Sequence, residues 1–216
     1  MRIITGTLKG RKITVPPHVD MRPTSDRAKE SIFSIIEVRK HISGSAVLDL
    51  FAGSGSLGFE AISRGAASVL FVEQSASAVD HIAKTARQFG VEKQAQSICT
   101  PVESFLSAHP RPFDLIFADP PYDYPQMTNL PEILLGGGWL KSDGWFILEH
   151  DKRHHFGEYP DCVFTKPYGR TIVSIFRSGE NNGTAKPDES QRGRPSADPA
   201  SSAPASGPPP ETSPDN

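Results

Sequence analysis

The sequence predicts an α/β protein with a single doubly wound, mostly parallel, seven-stranded sheet. Two observations support this fold class. From residue 46 to residue 150, short apolar runs typical of buried strands alternate with helical segments, and this alternation gives crossover connections and a parallel sheet covered on both faces. Near the end of the domain, the stretch "CVFTKPYGRTIVSIFR" contains two β-prone runs, which predict an antiparallel hairpin turning at Pro167–Gly169.

The first forty residues precede this alternating pattern. The opening "RIITGTLKGRKITVP" places short β-prone pieces around Gly6 and Gly10, and predicts a small β-hairpin or extended arm. A helix follows, because Thr24 or Ser25 is a suitable N-cap and apolar positions recur with helical spacing up to about Lys40. Nine basic and four acidic residues lie within positions 1–40. A basic end favours a polyanionic partner, although a solvated face would have the same composition.

The alternating elements follow in order. The predicted strands and helices are a strand at 46–51 with a helix through residue 61, a strand at 68–73 with a helix at 77–89, a strand at 95–100 with a short helix at 103–108, a strand at 113–119 with a helix at 129–135, and a strand at 145–150. In such a sheet, ligands bind beyond the carboxyl ends of the strands. The motifs that follow strands 46–51 and 113–119 are therefore expected at the same edge.

Three regions are expected along the chain: a basic arm at 1–20, the main domain at 21–178 and a tail at 179–216. The tail contains eight of the twenty prolines and no large apolar residue, so it should be disordered. Cys99 and Cys162 lie far apart without metal-binding spacing, and both are expected to be reduced core residues; no metal site is expected. The chain has neither a long apolar run nor a secretory leader pattern, and a cytoplasmic location is expected.

The glycine loop "LDLFAGSGSLGFE" follows the first strand of the sheet. Its glycines, with Gly53 and Gly55 at the start, let the backbone approach a ligand closely, and the next helix offers its first amides. Glu73 ends the following strand, where a carboxylate can accept hydrogen bonds from ribose hydroxyls. The pattern fits a nicotinamide dinucleotide or S-adenosylmethionine, and a strand–helix turn that merely needs glycines would also show it. Asp49 favours S-adenosylmethionine, because a carboxylate attracts the methionyl ammonium and repels a pyrophosphate.

The segment "DPPY" directly follows a buried strand. Asp119 supplies a carboxylate acceptor, and Pro120 presents a carbonyl on a stiff backbone. Together they can accept both N–H bonds of an exocyclic amine, which favours a pyramidal nitrogen able to attack a methyl group. Tyr122 offers a ring face on which an extruded base can stack. An ordinary proline-containing loop is the alternative interpretation.

Residues 1–178 resemble the bacterial 16S rRNA (guanine-966-N2) methyltransferases, which have a Rossmann-like fold. The resemblance is carried by "RIITGTLKGRKI", "RPTSDRAKESIF", "LDLFAGSGSLGFEAISRGA", "VEQSASAV", "FDLIFADPPY" and "YGRTIVSIF". It implies transfer of a methyl group from S-adenosylmethionine to N2 of a guanine in 16S rRNA. The expected context is an assembling 30S subunit, with a monomeric enzyme and no membrane partner.

The resemblance also implies roles for individual residues. The catalytic residues are Asp119, Pro120 and Tyr122; the cofactor-binding residues are Asp49, Phe51, Gly53, Gly55, Glu73, Glu103 and Thr24; the substrate-binding residues are Arg22, Pro121, Tyr122, Arg11 and Lys12. One departure concerns the cofactor site. Many relatives have an Asp after the third strand that can accept from the adenine amino group, whereas this chain has Pro101 there. Glu103 or a backbone group is expected to make that contact instead.

Three other functions remain open at this stage. A DNA adenine-N6 or cytosine-N4 methyltransferase would use the same chemistry, but such enzymes usually have a target-recognition region for which this chain has no room. A nicotinamide-dependent oxidoreductase would leave the DPPY segment unexplained. A non-catalytic RNA-binding module would have no need of an intact Asp119 and Tyr122.

Removal of the tail after Ser178 should leave folding and activity unchanged, because a segment without large apolar residues buries little surface. Thermal unfolding of the full and truncated chains is the measurement. A large fall in Tm on truncation would show instead that the tail packs onto the domain.

Overall fold

The computed structural model describes residues 1–14 and 26–179. All of these belong to one compact unit, Met1–Asn182. The expected helix cap at Thr24 or Ser25, the candidates Arg22 and Thr24, and the tail from residue 180 onward lie outside the described residues. The boundaries expected at residues 20 and 178 therefore stay predictions.

The described residues form a seven-stranded sheet with the order β3-β2-β1-β4-β5-β7-β6. The strands are β1 Ala46–Leu50, β2 Ser68–Glu73, β3 Ala95–Cys99, β4 Phe113–Ala118, β5 Leu140–His150, β6 Cys162–Tyr168 and β7 Thr171–Arg177. The first five are parallel, whereas β7 pairs antiparallel with both β5 and β6. The predicted fold class is confirmed.

Helices cover both faces of this sheet. The helices are α1 Asp26–Arg39, α2 Ser56–Ser63, α3 Ala76–Phe89, α4 Val102–Leu106 and α5 Leu130–Gly136, and a 3₁₀ turn at Met127–Asn129 precedes α5. One apolar core joins α1, α2 and α3 to alternate strand residues such as Val47 and Phe117. A second core joins α4 and α5 to the intervening residues, such as Leu48 and Ile116. The central strands are mostly apolar because both of their faces are buried, with Asp49 of β1 and Asp114 of β4 as exceptions.

The edges and ends of the sheet differ from the sequence-based expectations. The hairpin turns at Gly169, where φ is +67°, and Pro167 lies within β6. An edge strand tolerates a proline there because its outer side needs no N–H donor. Cys99 is exposed and Cys162 half-buried, so the expectation that both are core residues was wrong. Cys99 ends β3, the other edge strand, whose residues are largely exposed.

The amino-terminal arm, defined as residues 1–14, packs along α2. Its hairpin has one antiparallel bridge, between Arg2 and Lys12, with supporting hydrogen bonds such as Ile3 N to Arg11 O at 2.9 Å. The fully buried Glu60 of α2 holds the arm by accepting from the backbone N–H groups of Ile4 and Thr5 at 2.8 and 3.0 Å. Among residues 1–14 and 26–179, no helix is both long and apolar enough to span a membrane.

Candidate active site

Three carboxylates lie together at the carboxyl ends of neighbouring parallel strands. Asp49 is in β1, Glu73 ends β2, and Asp119 directly follows β4. Burial raises the pKa of Asp49 well above its ordinary value, and the negative charges of Asp119 and Glu73 raise it further. A hydrogen bond from Gly58 N–H offsets part of this rise. A cationic ligand is therefore favoured here, because a positive charge offsets the mutual repulsion of the three groups.

The glycine loop crosses this edge between β1 and α2. Phe51, Gly53 and Gly55 all have positive φ values, of 56°, 52° and 74°, so the chain turns sharply before α2 begins. A Cβ atom at Gly55 would lie 2.9 Å from the Phe59 ring, and one at Gly58 would lie 2.2 Å from the Phe71 ring. Gly58 therefore permits close packing of α2 on β2, while Gly53 and Gly55 shape the turn itself.

The Glu73 carboxylate ties the glycine loop to the next strand. It accepts from Gly53 N at 2.9 Å and from Ser75 N at 2.8 Å, at the start of α3. One side chain thus holds two loops that border the carboxylate cluster. This position at the end of β2 is the one expected for an acid that contacts a ribose.

The DPPY segment is fixed by contacts to two other loops. The Tyr122 hydroxyl lies 2.8 Å from Thr171 Oγ1 at the start of β7. The Tyr122 carbonyl accepts from Arg153 Nη2 at 2.8 Å, and Arg153 also pairs with Asp151 at 2.6 Å. Asp119 and Tyr122 are half-buried, so part of each side chain faces solvent. The segment is thereby presented as a braced and accessible surface.

Tyr124 links this segment to the other loops of the edge. Its ring packs edge-on against Phe51, with centroids 4.9 Å apart, and the side chain is 8% exposed. Burial raises the pKa of Tyr124, and the neighbouring Glu103 carboxylate raises it further. Glu103 lies in the first turn of α4, so Phe51, Tyr124 and Glu103 bring three loops together.

Sequence reasoning missed two residues of this edge. Tyr124 lies two residues beyond Tyr122 in the same motif, and a second aromatic residue at that spacing was the available signal. Arg153 belongs to the basic run "KRHH" after β5, whose position beyond a strand end was a signal too. Neither pattern indicates which backbone group the side chain contacts.

Two of the expected substrate-binding residues lie on the amino-terminal arm. Arg11 donates from Nη1 to Gln88 O at 2.7 Å and lies over the Phe89 ring, at the last turn of α3. Because α3 runs back along the sheet, that turn lies away from the carboxyl ends of the strands. Lys12 forms the antiparallel bridge of the arm with Arg2. The Arg2 carbonyl accepts a hydrogen bond from Lys29 Nζ, which also contacts Ser56 Oγ at the start of α2. Lys12 is therefore linked through Arg2 and Lys29 to the start of α2, whereas Arg11 contacts the last turn of α3.

His150 ends β5, and His154 and His155 follow it. No group of three or more His, Cys, Asp or Glu side chains suited to a metal occurs within the described part of the chain. His150 is buried, and its Nε2 lies 2.9 Å from Ser174 Oγ. It is thus a structural member of β5, whereas the sequence "EHDKRHHF" predicts solvated loop histidines.

Comparisons with known proteins identify relatives of this chain. A family model described as conserved hypothetical protein 95 matches residues 1–177. The ribosomal RNA small subunit methyltransferase D of Haemophilus influenzae is 36% identical over 155 residues, covering 70% of this chain and 79% of the relative. The protein of the same name from Escherichia coli K12 is 32% identical over 151 residues, covering 70% and 75%.

Solved structures have the same fold. A hypothetical protein of Thermus thermophilus superposes with a TM-score of 0.71 at 29% identity, covering 82% of this chain and 98% of that protein. An RNA methyltransferase of Salinibacter ruber, solved with S-adenosyl-L-homocysteine, superposes with a TM-score of 0.59 at 14% identity, covering 76% and 98%. At that identity the second likeness supports the fold alone.

Proposed function

This chain belongs to the conserved hypothetical protein 95 family, and we propose that it methylates the N2 amine of a guanine in 16S rRNA. The family resemblance seen in the sequence is confirmed by the family match and by the curated relatives named ribosomal RNA small subunit methyltransferase D. The observation that carries the proposal is the placement of the DPPY segment beside the carboxylate cluster, at one edge of the sheet.

S-adenosylmethionine is the cofactor, and the residues at this edge fit it. It supplies an electrophilic methyl group on a sulfonium. Asp49 would face the methionyl ammonium, and Glu73 would face the ribose hydroxyls. The glycines of the Gly53–Gly55 turn would let the protein main chain approach the ligand closely. The ammonium and the sulfonium of the cofactor are both positively charged, which suits three neighbouring carboxylates.

The adenine end of the cofactor site departs from the usual pattern, because Pro101 caps α4 where many relatives have an Asp. Glu103, in the first turn of α4, is the candidate acceptor for the adenine amino group. Its charge acts on Tyr124, which packs on Phe51, so it lies at the edge where the other candidates meet. We therefore assign this contact to Glu103 within the proposal.

Asp119 and Pro120 would activate the amine. The nitrogen of an exocyclic amine is a poor nucleophile while its lone pair is delocalised into the base. Accepting both of its N–H bonds, through the Asp119 carboxylate and the Pro120 carbonyl, favours a pyramidal nitrogen with its lone pair directed at the methyl group. Tyr122 would stack on the base, and its hydrogen bond to Thr171 holds the ring in place.

The substrate of the proposal is 16S rRNA, expected within an assembling 30S subunit and acted on by a monomer in the cytoplasm. The basic amino-terminal arm supports an RNA partner, since Arg11 and Lys12 lie on an exposed surface of it. Arg22 and Thr24, outside the described residues, keep their proposed roles next to the base and the cofactor.

Replacement of Glu73 with Gln should weaken S-adenosylmethionine binding about 10- to 100-fold. The amide offers one accepting oxygen where the carboxylate accepts from both Gly53 N–H and Ser75 N–H, and hydrogen bonds to charged groups contribute about 1.5–3 kcal/mol. Isothermal titration with S-adenosylmethionine is the measurement. Glu92→Gln, at an exposed acid beyond α3, is the matched control and should bind normally. Equal affinity in the two variants would remove Glu73 from the cofactor site.

Methyl transfer to defined nucleic acids tests the substrate class. Tritium from labelled S-adenosylmethionine would be followed into naked 16S rRNA, into 30S particles and into duplex DNA, with the RNA and particles taken from a strain lacking this gene. The proposal predicts label in one or both RNA substrates and none in DNA. Label in DNA alone would favour the DNA methyltransferase, and binding of RNA with no transfer to any substrate would favour a non-catalytic RNA-binding module.

A further inference from the structure

A cavity of about 530 Å³ lies beyond the carboxyl end of β5, outside the residues assigned so far. Its walls include His150, His154, His155, Phe156, Thr165 and Ile172. The volume falls within the range of about 300–1,000 Å³ typical of small-molecule sites. Neither Asp119 nor Pro120 lines it, so the base whose amine reacts is not the group this cavity would hold.

One contact links the wall of the cavity to the DPPY segment. Arg153, which donates to the Tyr122 carbonyl at 2.8 Å, directly precedes His154 of the cavity wall. The loop that begins at Asp151 therefore borders both the cavity and Tyr122, the residue proposed to stack on the reacting base.

The lining of the cavity suits a planar heterocycle with polar edges. Phe156 is buried, and the His150 ring packs edge-on against it with centroids 4.8 Å apart. The His154 ring lies nearly parallel to Phe156, at an interplanar angle of 15°. Burial lowers the pKa of His150, which favours a neutral imidazole. Phe156 and His150 form the buried floor, while His154 is half-buried and His155 exposed, so an unstacked RNA base would contact the rings of His154 and His155.

Charges around the cavity indicate how a nucleotide would be oriented. Lys152 is exposed two residues before His154 of the cavity wall, and a cation there can contact a phosphate. Glu158 belongs to the lining, so its carboxylate disfavours a phosphate inside and accepts from an amino group. The base would enter and the backbone would stay outside.

We propose that this cavity holds an RNA base next to the methylated guanine in the chain, unstacked when the guanine is extruded. The Glu158 carboxylate favours adenine, guanine or cytosine over uracil, because only those bases carry an exocyclic amine. The inference rests on the proposed function, and it adds a second base contact that orients the RNA across the DPPY segment.

The test introduces a larger side chain at Gly157, a residue of the cavity wall. A Cβ atom at Gly157 meets no heavy atom within 4 Å, so Gly157→Leu adds a side chain to open space in the lining without a clash at its first atom. Gly136→Leu is the matched control, since Gly136 has equally open space at the exposed end of α5. Affinity for 16S rRNA and 30S particles, kcat/KM for transfer and affinity for S-adenosylmethionine would be measured in both variants.

Gly157→Leu should lower RNA affinity and kcat/KM about 5- to 150-fold, the range for one lost stacked base, with normal cofactor binding. Gly136→Leu should behave as wild type. His155→Ala, which removes an exposed ring from the rim, should give a smaller loss of about 2- to 12-fold. This variant keeps the inference testable if Gly157→Leu fails to fold.

The outcomes separate the inference from the proposed function. Unchanged RNA affinity and kcat/KM in Gly157→Leu, or in His155→Ala if the first variant is unfolded, would overturn the nucleotide site. A wild-type protein that transfers no methyl to RNA, yet loses RNA affinity on Gly157→Leu, would overturn the proposed function and support the site.

Discussion

Asp119→Ala should lower kcat for methyl transfer by at least about 10²- to 10³-fold, the usual effect of removing one preorganised polar group that stabilises a transition state. Asp119 follows β4, and the proposal gives it one of the two N–H bonds of the amine, so Pro120 alone would leave that bond without an acceptor. S-adenosylmethionine affinity should stay within about threefold, because the proposal assigns cofactor binding to Asp49, Glu73 and the glycine loop. Single-turnover transfer and titration calorimetry measure the two quantities separately.

Asp123→Ala is the matched control for this prediction. Asp123 is an exposed carboxylate four residues further along the same segment, so its removal changes the charge without touching the proposed acceptor. We expect near-normal turnover from it. Turnover of Asp119→Ala equal to that of the control would remove Asp119 from the mechanism, and a large loss of cofactor affinity would move it to the cofactor site.

Glu60→Gln should lower the free energy of unfolding by about 3–5 kcal/mol, the usual cost of breaking a buried ion pair by removing one charge. Glu60 has 0% exposed side-chain surface, accepts from Arg64 Nε at 2.9 Å and lies 3.6 Å from Lys29 Nζ, itself 1% exposed. The same carboxylate holds the backbone of Ile4 and Thr5. Gln lacks the charge and one of the two accepting oxygens. Urea unfolding of the full chain is the measurement.

Glu37→Gln tests whether burial of the ion pair is the cause of the stability loss expected from Glu60→Gln. Glu37 pairs with the same Arg64 at 2.8 Å, but its side chain is 45% exposed. Solvent-exposed ion pairs contribute about 0–1 kcal/mol, so this variant should unfold almost as wild type does. A similar small effect from both variants would show that the Glu60 network contributes little to stability.

Local patterns were sufficient for most of the fold. Buried parallel strands are apolar on both faces, so β1, β2 and β4 stood out against polar loops, and β2 was predicted at its observed bounds, Ser68–Glu73. The start of β5 was missed because "KSDG" is polar and turn-like. The structure includes these residues in the strand despite the positive φ of Asp143 and an irregular register opposite Phe113–Leu115.

Topology explains why part of the candidate site was predictable. Asp49, Glu73 and Asp119 are far apart in sequence, but the ends of neighbouring parallel strands meet at one edge, and the charges of the three groups do interact. The contact of Arg153 with Tyr122 and the packing of Tyr124 on Phe51 depend on the paths of two loops. No periodic pattern encodes such paths. The basic character of the arm was visible, but its packing along α2, which places Arg11 at the far end of α3, was not.

The most direct test of the central claim is the identity of the methylated nucleoside. 16S rRNA from a strain lacking this gene would be methylated by the purified protein, as RNA or as 30S particles, digested to nucleosides and analysed by mass spectrometry. The account predicts N2-methylguanosine, formed by the wild type and absent with Asp119→Ala. N6-methyladenosine or N4-methylcytidine as the sole product would keep the amine chemistry of Asp119 but contradict the guanine target.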